Sequence, residues 1–163
     1  APFHDAVERL QTIPGVGLTA ARTIIAEIGL DMGRFPTAGH LRSWVGLCPR
    51  MDESAGKRRC TRIRKGAQWL KPVLIQCAWS AVRRPGYLQA QFLRLRARRG
   101  AKKAIIAVAA SLLGAAYAIL KDGQVYRDLG ADYFTRNDRM RTVTKLTQRL
   151  RQLGYEVELH AAA

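Results

Sequence analysis

Apolar residues recur along this chain with the three-to-four-residue spacing of helices. Between Leu18 and Ile28 they fall on one face, which predicts an amphipathic helix that Gly29 stops. The same spacing predicts further helices over 5–10, 37–45, 67–82, 87–99, 102–120 and 137–153. A short stretch at 155–159 is the only candidate strand. The pattern therefore predicts a compact, all-α fold, and a length of 163 residues fits one domain spanning 1–163.

Thr37 and Pro72 bear on where two of these helices begin. Thr37 is a typical N-cap residue and begins the predicted helix 37–45. Pro72 falls inside the predicted helix 67–82. Either that helix starts near Lys71, with the proline in its first turn, or it kinks at the proline.

The stretch from Ala104 to Leu120 is uncharged, mostly apolar and bracketed by lysines. Its 17 residues reach the lower limit for a membrane-spanning helix. It is rich in alanine and glycine, however, and only marginally hydrophobic on insertion scales. We therefore predict a buried central helix of an all-α domain and no membrane partner.

Charge is distributed unevenly along the chain. The net charge is +16, and residues 54–121 carry sixteen Lys and Arg with no Asp or Glu. The two flanking segments are each nearly neutral. A biased genome composition explains the excess of Arg over Lys, but it does not explain the missing carboxylates. The segment therefore predicts a phosphate-bearing partner, DNA or RNA, and argues against a basic partner. Peripheral binding to an anionic membrane is the weaker alternative.

Cysteines and histidines do not form metal-binding spacings. The three Cys contain no CxxC pair, and the three His are dispersed with no HExxH motif. These patterns predict a reduced, cytoplasmic setting and no metal site in this chain.

A glycine-rich turn at 12–17 (TIPGVG) lies between two predicted helices. Gly15 and Gly17 can adopt positive φ and expose backbone N–H groups, and the following helix N-terminus favours anions. The pattern resembles the helix-hairpin-helix motif of DNA-repair and recombination proteins, here over 11–29. The alternative is an ordinary tight turn between two helices.

A long loop at 48–66 precedes the helical bundle predicted over 67–153. Six of its basic residues fall within nine positions: Lys57, Arg58, Arg59, Arg62, Arg64 and Lys65. By itself this composition is that of a polybasic loop that grips phosphates. Four arginines of the helix 87–99 are also predicted to contact a DNA or RNA backbone: Arg94, Arg96, Arg98 and Arg99. Trp44, Trp69 and Trp79 are interpreted as core anchors rather than as base-stacking residues.

Ser54 lies in this loop and is followed by the small pair Ala55-Gly56, which would let a phosphate approach. A serine hydroxyl becomes a nucleophile only with a base or with positive charge that stabilises the alkoxide. The nearby arginines could supply that charge, and Asp52 or Glu53 could supply a base.

The order of these segments resembles the C-terminal transposase domain of the insertion sequence 110/116/902 group. These DEDD transposases are bridge-RNA-guided recombinases and are related to the pilin-gene invertases. The resemblance covers about residues 8–127 and consists of IPGVG, AEIG, RF, GLCPR, a serine before a small-Gly-Lys run, a basic I-x-K-G segment and a leucine-rich helix. The later segment KKAIIAVAASLLGAAYAILKDGQVY also fits the family.

The resemblance implies a division of labour. An N-terminal RuvC-like domain, absent from this chain, would bind Mg²⁺ through four acids, so no cofactor is expected in the chain itself. The family serine that attacks a DNA phosphate and forms a phosphoserine linkage falls on Ser54. The active site would be built between subunits of a homotetramer that holds guide (bridge) RNA and two DNAs. The setting would be the bacterial cytoplasm, in association with the nucleoid, and the isolated domain would be inactive.

Two departures loosen the register of this resemblance. Ala55 stands between the serine and Gly56, where the family usually has Ser-Gly, and Gly66-Ala67-Gln68 replaces a usual Gly-Asn. The remaining alternative is a non-catalytic helix-hairpin-helix module that binds nucleic acid and cuts nothing.

Overall fold

The computed structural model describes residues 2–49, 52–60, 62–63 and 65–160, with the side chains of 52–54 and 58–60 outside that description. Within this part the chain is all-α, as predicted, apart from one β-hairpin. The helices are α1 (Pro2–Gln11), α2 (Leu18–Ile28), α3 (Ala38–Val45), α4 (Leu70–Ala81), α5 (Tyr87–Arg99), α6 (Ala101–Asp122) and α7 (Tyr133–Gln152). A turn of 3-10 helix spans Met32–Arg34, and strands β1 (Asp52–Ser54) and β2 (Lys57–Cys60) form the hairpin.

Helix α6 is the centre of the fold. It packs against α1, α3, α4 and α5, and α1 and α4 also pack against α2. Its apolar stripe is almost completely buried, and the Tyr117 hydroxyl donates to the carbonyl of Phe35 at 3.0 Å. By length and composition α6 could also cross a membrane, but half of that stretch is buried inside the protein. The prediction of a buried central helix is therefore confirmed.

The helix ends follow the local signals in the sequence. The Thr37 hydroxyl accepts the N–H of His40, which makes Thr37 the N-cap of α3. Helix α4 begins at Leu70, so Pro72 lies in the first turn, where its missing N–H leaves no hydrogen bond unmade. The first of the two alternatives for Pro72 is correct.

The C-terminal part of the chain differs from its prediction. Helix α7 starts at Tyr133, four residues earlier than expected, because aromatic contacts extend its first turn: the Phe134 ring stacks on Tyr87 at 5.1 Å. The segment after α7, predicted as a strand at 155–159, is irregular, because no second strand pairs with it within the described residues. None of the described residues of α7 is buried, and its packing partner is α5.

Side-chain anchors hold the segment between α6 and α7. The backbone N–H of Tyr126 donates to the Thr12 hydroxyl at 2.8 Å, and the Arg9 guanidinium donates to the Gly123 carbonyl at 3.2 Å. The Asp128 carboxylate accepts the backbone N–H of Tyr87 at 3.1 Å. The segment is thus tied both to the glycine-rich turn and to the start of α5.

Candidate nucleic-acid interface

The basic loop at 48–66 is a β-hairpin rather than an irregular loop. Strands β1 and β2 pair antiparallel, with Glu53 opposite Arg58 and Ser54 opposite Lys57. A further bridge joins Pro49 to Ile63 at the root of the hairpin. The prediction of a loop without regular structure is wrong here. The two strands are held by hydrogen bonds between backbone groups and by the turn, so they form without the apolar side chains by which a strand is predicted.

The turn of the hairpin is Ala55-Gly56, and both residues have positive φ, 51° and 73°. Positive φ at both central positions is the pattern that lets a two-residue turn match the twist of its strands. Glycine adopts it freely, whereas an alanine there is strained. Both turn residues are exposed, so residue 54 lies next to the exposed tip of the hairpin.

A close backbone contact fixes the root of the hairpin to the helical core. A Cβ added to Gly66 would lie 2.6 Å from the backbone nitrogen of Gly46, which is the C-cap of α3. No other residue type fits this approach without moving α3. The hairpin therefore leaves the core from a defined point beside the end of α3.

The predicted hairpin cations divide into three groups. Lys57, Arg62 and Lys65 are exposed. Arg58 and Arg59 lie in β2, and their side chains are outside the described part, as is that of Ser54. Arg64 lies outside the described residues altogether. Of the three exposed cations, Lys57 lies in β2, whereas Arg62 and Lys65 follow the strand on the return of the hairpin; the roles of all six remain predictions.

The two glycines of the turn at 12–17 have different environments. Gly15 has a φ of +83°, and a Cβ there would lie 2.7 Å from the backbone nitrogen of Ala81 in α4. Its small size is explained by packing within the protein. Gly17 is exposed at the N-cap of α2, and a Cβ added there would meet no atom within 4 Å. Of the two, Gly17 is the one open to a phosphate.

Arg94 and Arg98 of α5 also differ. Arg94 is half-buried, forms a forked ion pair with Asp138 of α7 and lies over the Phe134 ring at 5.2 Å. The Arg94 hydrogen bonds, followed by the charges of Arg94, Arg141 and Arg98, hold the pKa of the Asp138 carboxyl below its usual value. Arg94 thus holds α7 against α5, whereas Arg98 is exposed.

A second basic surface lies at the corner between α5 and α6. Its cations are Arg96, Arg98, Arg99, Lys102 and Lys103, all exposed. The sequence predicts the three arginines as phosphate contacts but not the two lysines. Gly100 is the only residue between α5 and α6, so the last turn of α5 lies next to the first turn of α6. This short connection is the sequence feature that could have indicated the surface.

The described residues contain no group of three or more His, Cys, Asp or Glu that could hold a metal ion. The side chains present in this part of the chain therefore do not fit a divalent cation site.

Burial raises the pKa of the Cys77 thiol, as expected for a structural cysteine facing the core.

Comparison with known proteins gives a consistent set of relatives. A sequence profile described as "Transposase IS116/IS110/IS902 family" matches residues 7–94, more than half of the chain. The "Transposase for insertion sequence element IS1111A" of Coxiella burnetii is 31% identical over 132 residues, covering 78% of this chain and 36% of that protein. The "Insertion element IS110 uncharacterized 43.6 kDa protein" of Streptomyces coelicolor is 29% identical over 125 residues, covering 76% and 31%. The chain spans about a third of the length of these curated relatives.

Proposed function

The chain belongs to the Transposase IS116/IS110/IS902 family, and from this premise we propose that it is the nucleophile-bearing domain of a DNA transposase. In this proposal it binds DNA and guide RNA and supplies Ser54 for strand cleavage and exchange. The observation that carries the proposal is the backbone position of Ser54, opposite Lys57 at the tip of a basic hairpin.

The hairpin suits this role for two physical reasons. An exposed tip reaches a large nucleic acid that could not enter a cleft, and the close contact of Gly66 with Gly46 fixes where the hairpin starts. The strained turn residue Ala55 follows the serine directly. Backbone strain persists where surrounding structure imposes it, and it concentrates at functional sites.

The proposed step is nucleophilic substitution at phosphorus. A bond forms between the Ser54 oxygen and a DNA phosphorus while the bond from that phosphorus to one sugar oxygen breaks, which leaves a phosphoserine linkage. The hydroxyl proton must leave, and Asp52 and Glu53 are the nearest carboxylates in sequence. Positive charge from the hairpin stabilises the extra negative charge that develops on the phosphate.

Metal chemistry belongs to another part of the proposed enzyme. We expect an RuvC-like domain to hold Mg²⁺ through its acids, and bound Mg²⁺ would polarise the scissile phosphate. The described residues of this chain offer no such site. The proposal therefore includes a homotetramer in which the domains of different subunits meet around DNA and guide RNA, and it expects the isolated chain to be inactive.

A covalent adduct tests the proposal. Full-length enzyme, guide RNA and target DNA are mixed and denatured in SDS, and the expected result is a protein–DNA adduct with wild type but not with Ser54→Ala. Ser80→Ala, which removes an exposed serine hydroxyl on α4, is the matched control and should retain the adduct. An adduct that persists in Ser54→Ala would show that another residue is the nucleophile.

A second candidate function is binding of nucleic acid without cleavage. The exposed cations at the corner of α5 and α6, together with exposed Gly17 at the start of α2, favour it independently of Ser54. In this case Ser54→Ala leaves every activity of the parent protein intact. Both functions predict strong salt dependence: a protein that contacts 6–10 phosphates loses roughly 10³–10⁵ in affinity between 50 and 200 mM salt.

A further inference from the structure

Trp69 is the most exposed of the three tryptophans. Its exposed fraction is 75%, against 47% for Trp44 and 43% for Trp79. The interpretation of all three as core anchors is therefore wrong, because each of them is exposed; next to Trp69 the core-facing position is taken by Leu70, which is fully buried. An indole is the largest apolar side chain, and most of this one remains in contact with water.

The other two tryptophans have aromatic neighbours. Trp44 packs against Phe35 with ring centroids 5.8 Å apart, and Trp79 meets Phe92 edge-on at 5.6 Å. Among the described residues Trp69 has no such ring neighbour. With three quarters of its surface exposed and no described ring packed on it, Trp69 is accessible to a planar partner.

The backbone that carries Trp69 is held on both sides. On one side, Gly66 packs so closely on Gly46 that a Cβ would lie 2.6 Å from its backbone nitrogen. On the other, Leu70 begins α4 in the core, and the Lys71 N–H donates to the Ala67 carbonyl at 3.2 Å. Trp69 is the N-cap of α4. The backbone from which the indole projects is therefore held in place, so binding does not have to order this part of the main chain.

The sequence around Trp69 is basic. Lys65 is exposed four residues before it, at the return of the hairpin, and residues 54–121 contain no acid. An exposed aromatic ring beside cations is the arrangement that binds single-stranded nucleic acid: phosphates contact the cations and bases stack on the ring. Bases within a duplex have both faces covered, so only an unpaired base can stack in this way.

We propose that Trp69 is a stacking platform for an unpaired nucleobase at the root of the hairpin. The strand that carries this base has its phosphates on the hairpin cations, including Lys65. This inference rests on the proposed nucleic-acid binding but not on the role of Ser54.

Fluorescence of Trp69 alone tests the proposal. The double variant Trp44→Phe/Trp79→Phe leaves Trp69 as the single tryptophan and keeps aromatic rings at the two partly buried sites. It is titrated with 20-nucleotide single-stranded DNA, the same sequence as RNA, and the DNA duplex. We expect saturable quenching of Trp69 by single strands and much less by the duplex, and the DNA and RNA arms identify which strand stacks.

Affinity measurements give the second readout. Trp69→Ala should weaken single-strand binding on the order of 10-fold to 100-fold, while Trp69→Phe retains most of the affinity and duplex binding is nearly unchanged. Trp44→Phe is the control and should bind single strands like wild type. Single-strand binding with no quenching and no loss in Trp69→Ala would overturn the stacking role while leaving nucleic-acid binding intact. If the wild type binds none of the three probes, both the stacking role of Trp69 and the proposed nucleic-acid binding are overturned.

Discussion

The guanidinium of Arg42 occupies the space that the missing side chain of Gly114 leaves on α6. Arg42 lies in the last turn of α3, and its Nε–H donates to the carbonyl oxygen of Ala110 at 2.9 Å. A Cβ added to Gly114 would lie 3.0 Å from Cζ of Arg42 and closer still to its Nη2. The glycine in the middle of the central helix is therefore explained by the passage of one side chain from the neighbouring helix.

Gly114→Ala should have opposite effects on stability in two backgrounds. An interior helical glycine costs about 1 kcal/mol relative to alanine, so the change alone favours the helix. In wild type it also displaces Arg42 from Ala110, a charged hydrogen bond that contributes about 1.5–3 kcal/mol. We therefore expect a net loss of about 1 kcal/mol in wild type, and a gain of up to about 1 kcal/mol in Arg42→Ala.

Urea denaturation of the four proteins, arranged as a double-mutant cycle, measures this coupling. If Gly114→Ala changes the free energy of unfolding equally in both backgrounds, the hydrogen bond of Arg42 does not require the space beside Gly114. The same cycle also gives the contribution of Arg42 to the free energy of unfolding, because Arg42→Ala is one of the four proteins.

Gly15→Ala and Gly17→Ala separate packing from ligand binding. Alanine at position 15 would adopt a φ of +83°, which costs about 1–2 kcal/mol, and its Cβ would meet the backbone of Ala81. Backbone cannot move aside as a flexible side chain can, so we expect a loss of at least about 2 kcal/mol. Position 17 has an ordinary φ of −88° and open space around it. Gly17→Ala should therefore lower the free energy of unfolding by less than about 1 kcal/mol.

Thermal unfolding followed by circular dichroism compares these two variants. Equal losses of stability would contradict the packing of Gly15 on α4. Because Gly17→Ala keeps the fold, a reduced affinity for DNA in that variant would report on phosphate contact at the start of α2.

The ion pair between Arg94 and Asp138 predicts acid-sensitive docking of α7. The pKa of Asp138 lies below its ordinary value of 3.8 in the fold, mainly because of the hydrogen bonds from Arg94. A depressed carboxyl pKa stabilises the fold above the unfolded value, and this contribution disappears as the pH falls through the folded value. Docking of α7 should therefore be intact at pH 5 and weaken below about pH 3.8.

Hydrogen exchange of the amides in α7 measures that docking. Asp138→Asn should accelerate exchange at pH 5 by no more than about fivefold, because the pair is partly exposed to solvent. Asp132→Asn removes a carboxylate at the N-cap of α7 that pairs with Arg136 of the same helix, so it serves as the matched control. Equal acceleration by both variants would show that the bridge between helices is not what holds α7.

Local sequence signals predicted most helix positions, as the N-cap at Thr37 and the stop at Gly29 illustrate. Both act within one turn of the chain, so their effect does not depend on distant residues. The start of α7 was missed for the opposite reason. Its first turn is extended by the Tyr87 ring of α5, and the sequence around 133 does not reveal that contact.

The candidate site was only partly predictable. The sequence identifies the basic segment and Ser54, but the nine residues from Asp52 to Cys60 lack the alternation of apolar and polar residues that indicates a strand. The sequence allows positive φ at both Gly15 and Gly17, but only Gly15 adopts it, and the sequence does not predict the neighbouring helix that requires it there. The exposure of Trp69 likewise depends on which residue at the start of α4 enters the core, and Leu70 takes that position.

Tyr126 predicts a loss of stability in alkaline solution. Burial raises the pKa of its hydroxyl to about 12, and the charge of Asp128 and a hydrogen bond to it act in the same direction. A tyrosine whose pKa is raised in the fold stabilises the protein fully below the unfolded value of 10, and the contribution is lost as the pH rises toward the folded value. We expect the free energy of unfolding to fall by at most about 2 kcal/mol between pH 10 and 12 from this group alone.

Tyr126→Phe should reduce that alkaline loss, measured by urea denaturation at pH 9 and 11.5. Tyr155→Phe, at an exposed position, should leave it unchanged. An identical loss in wild type and Tyr126→Phe would mean that another group causes the alkaline sensitivity.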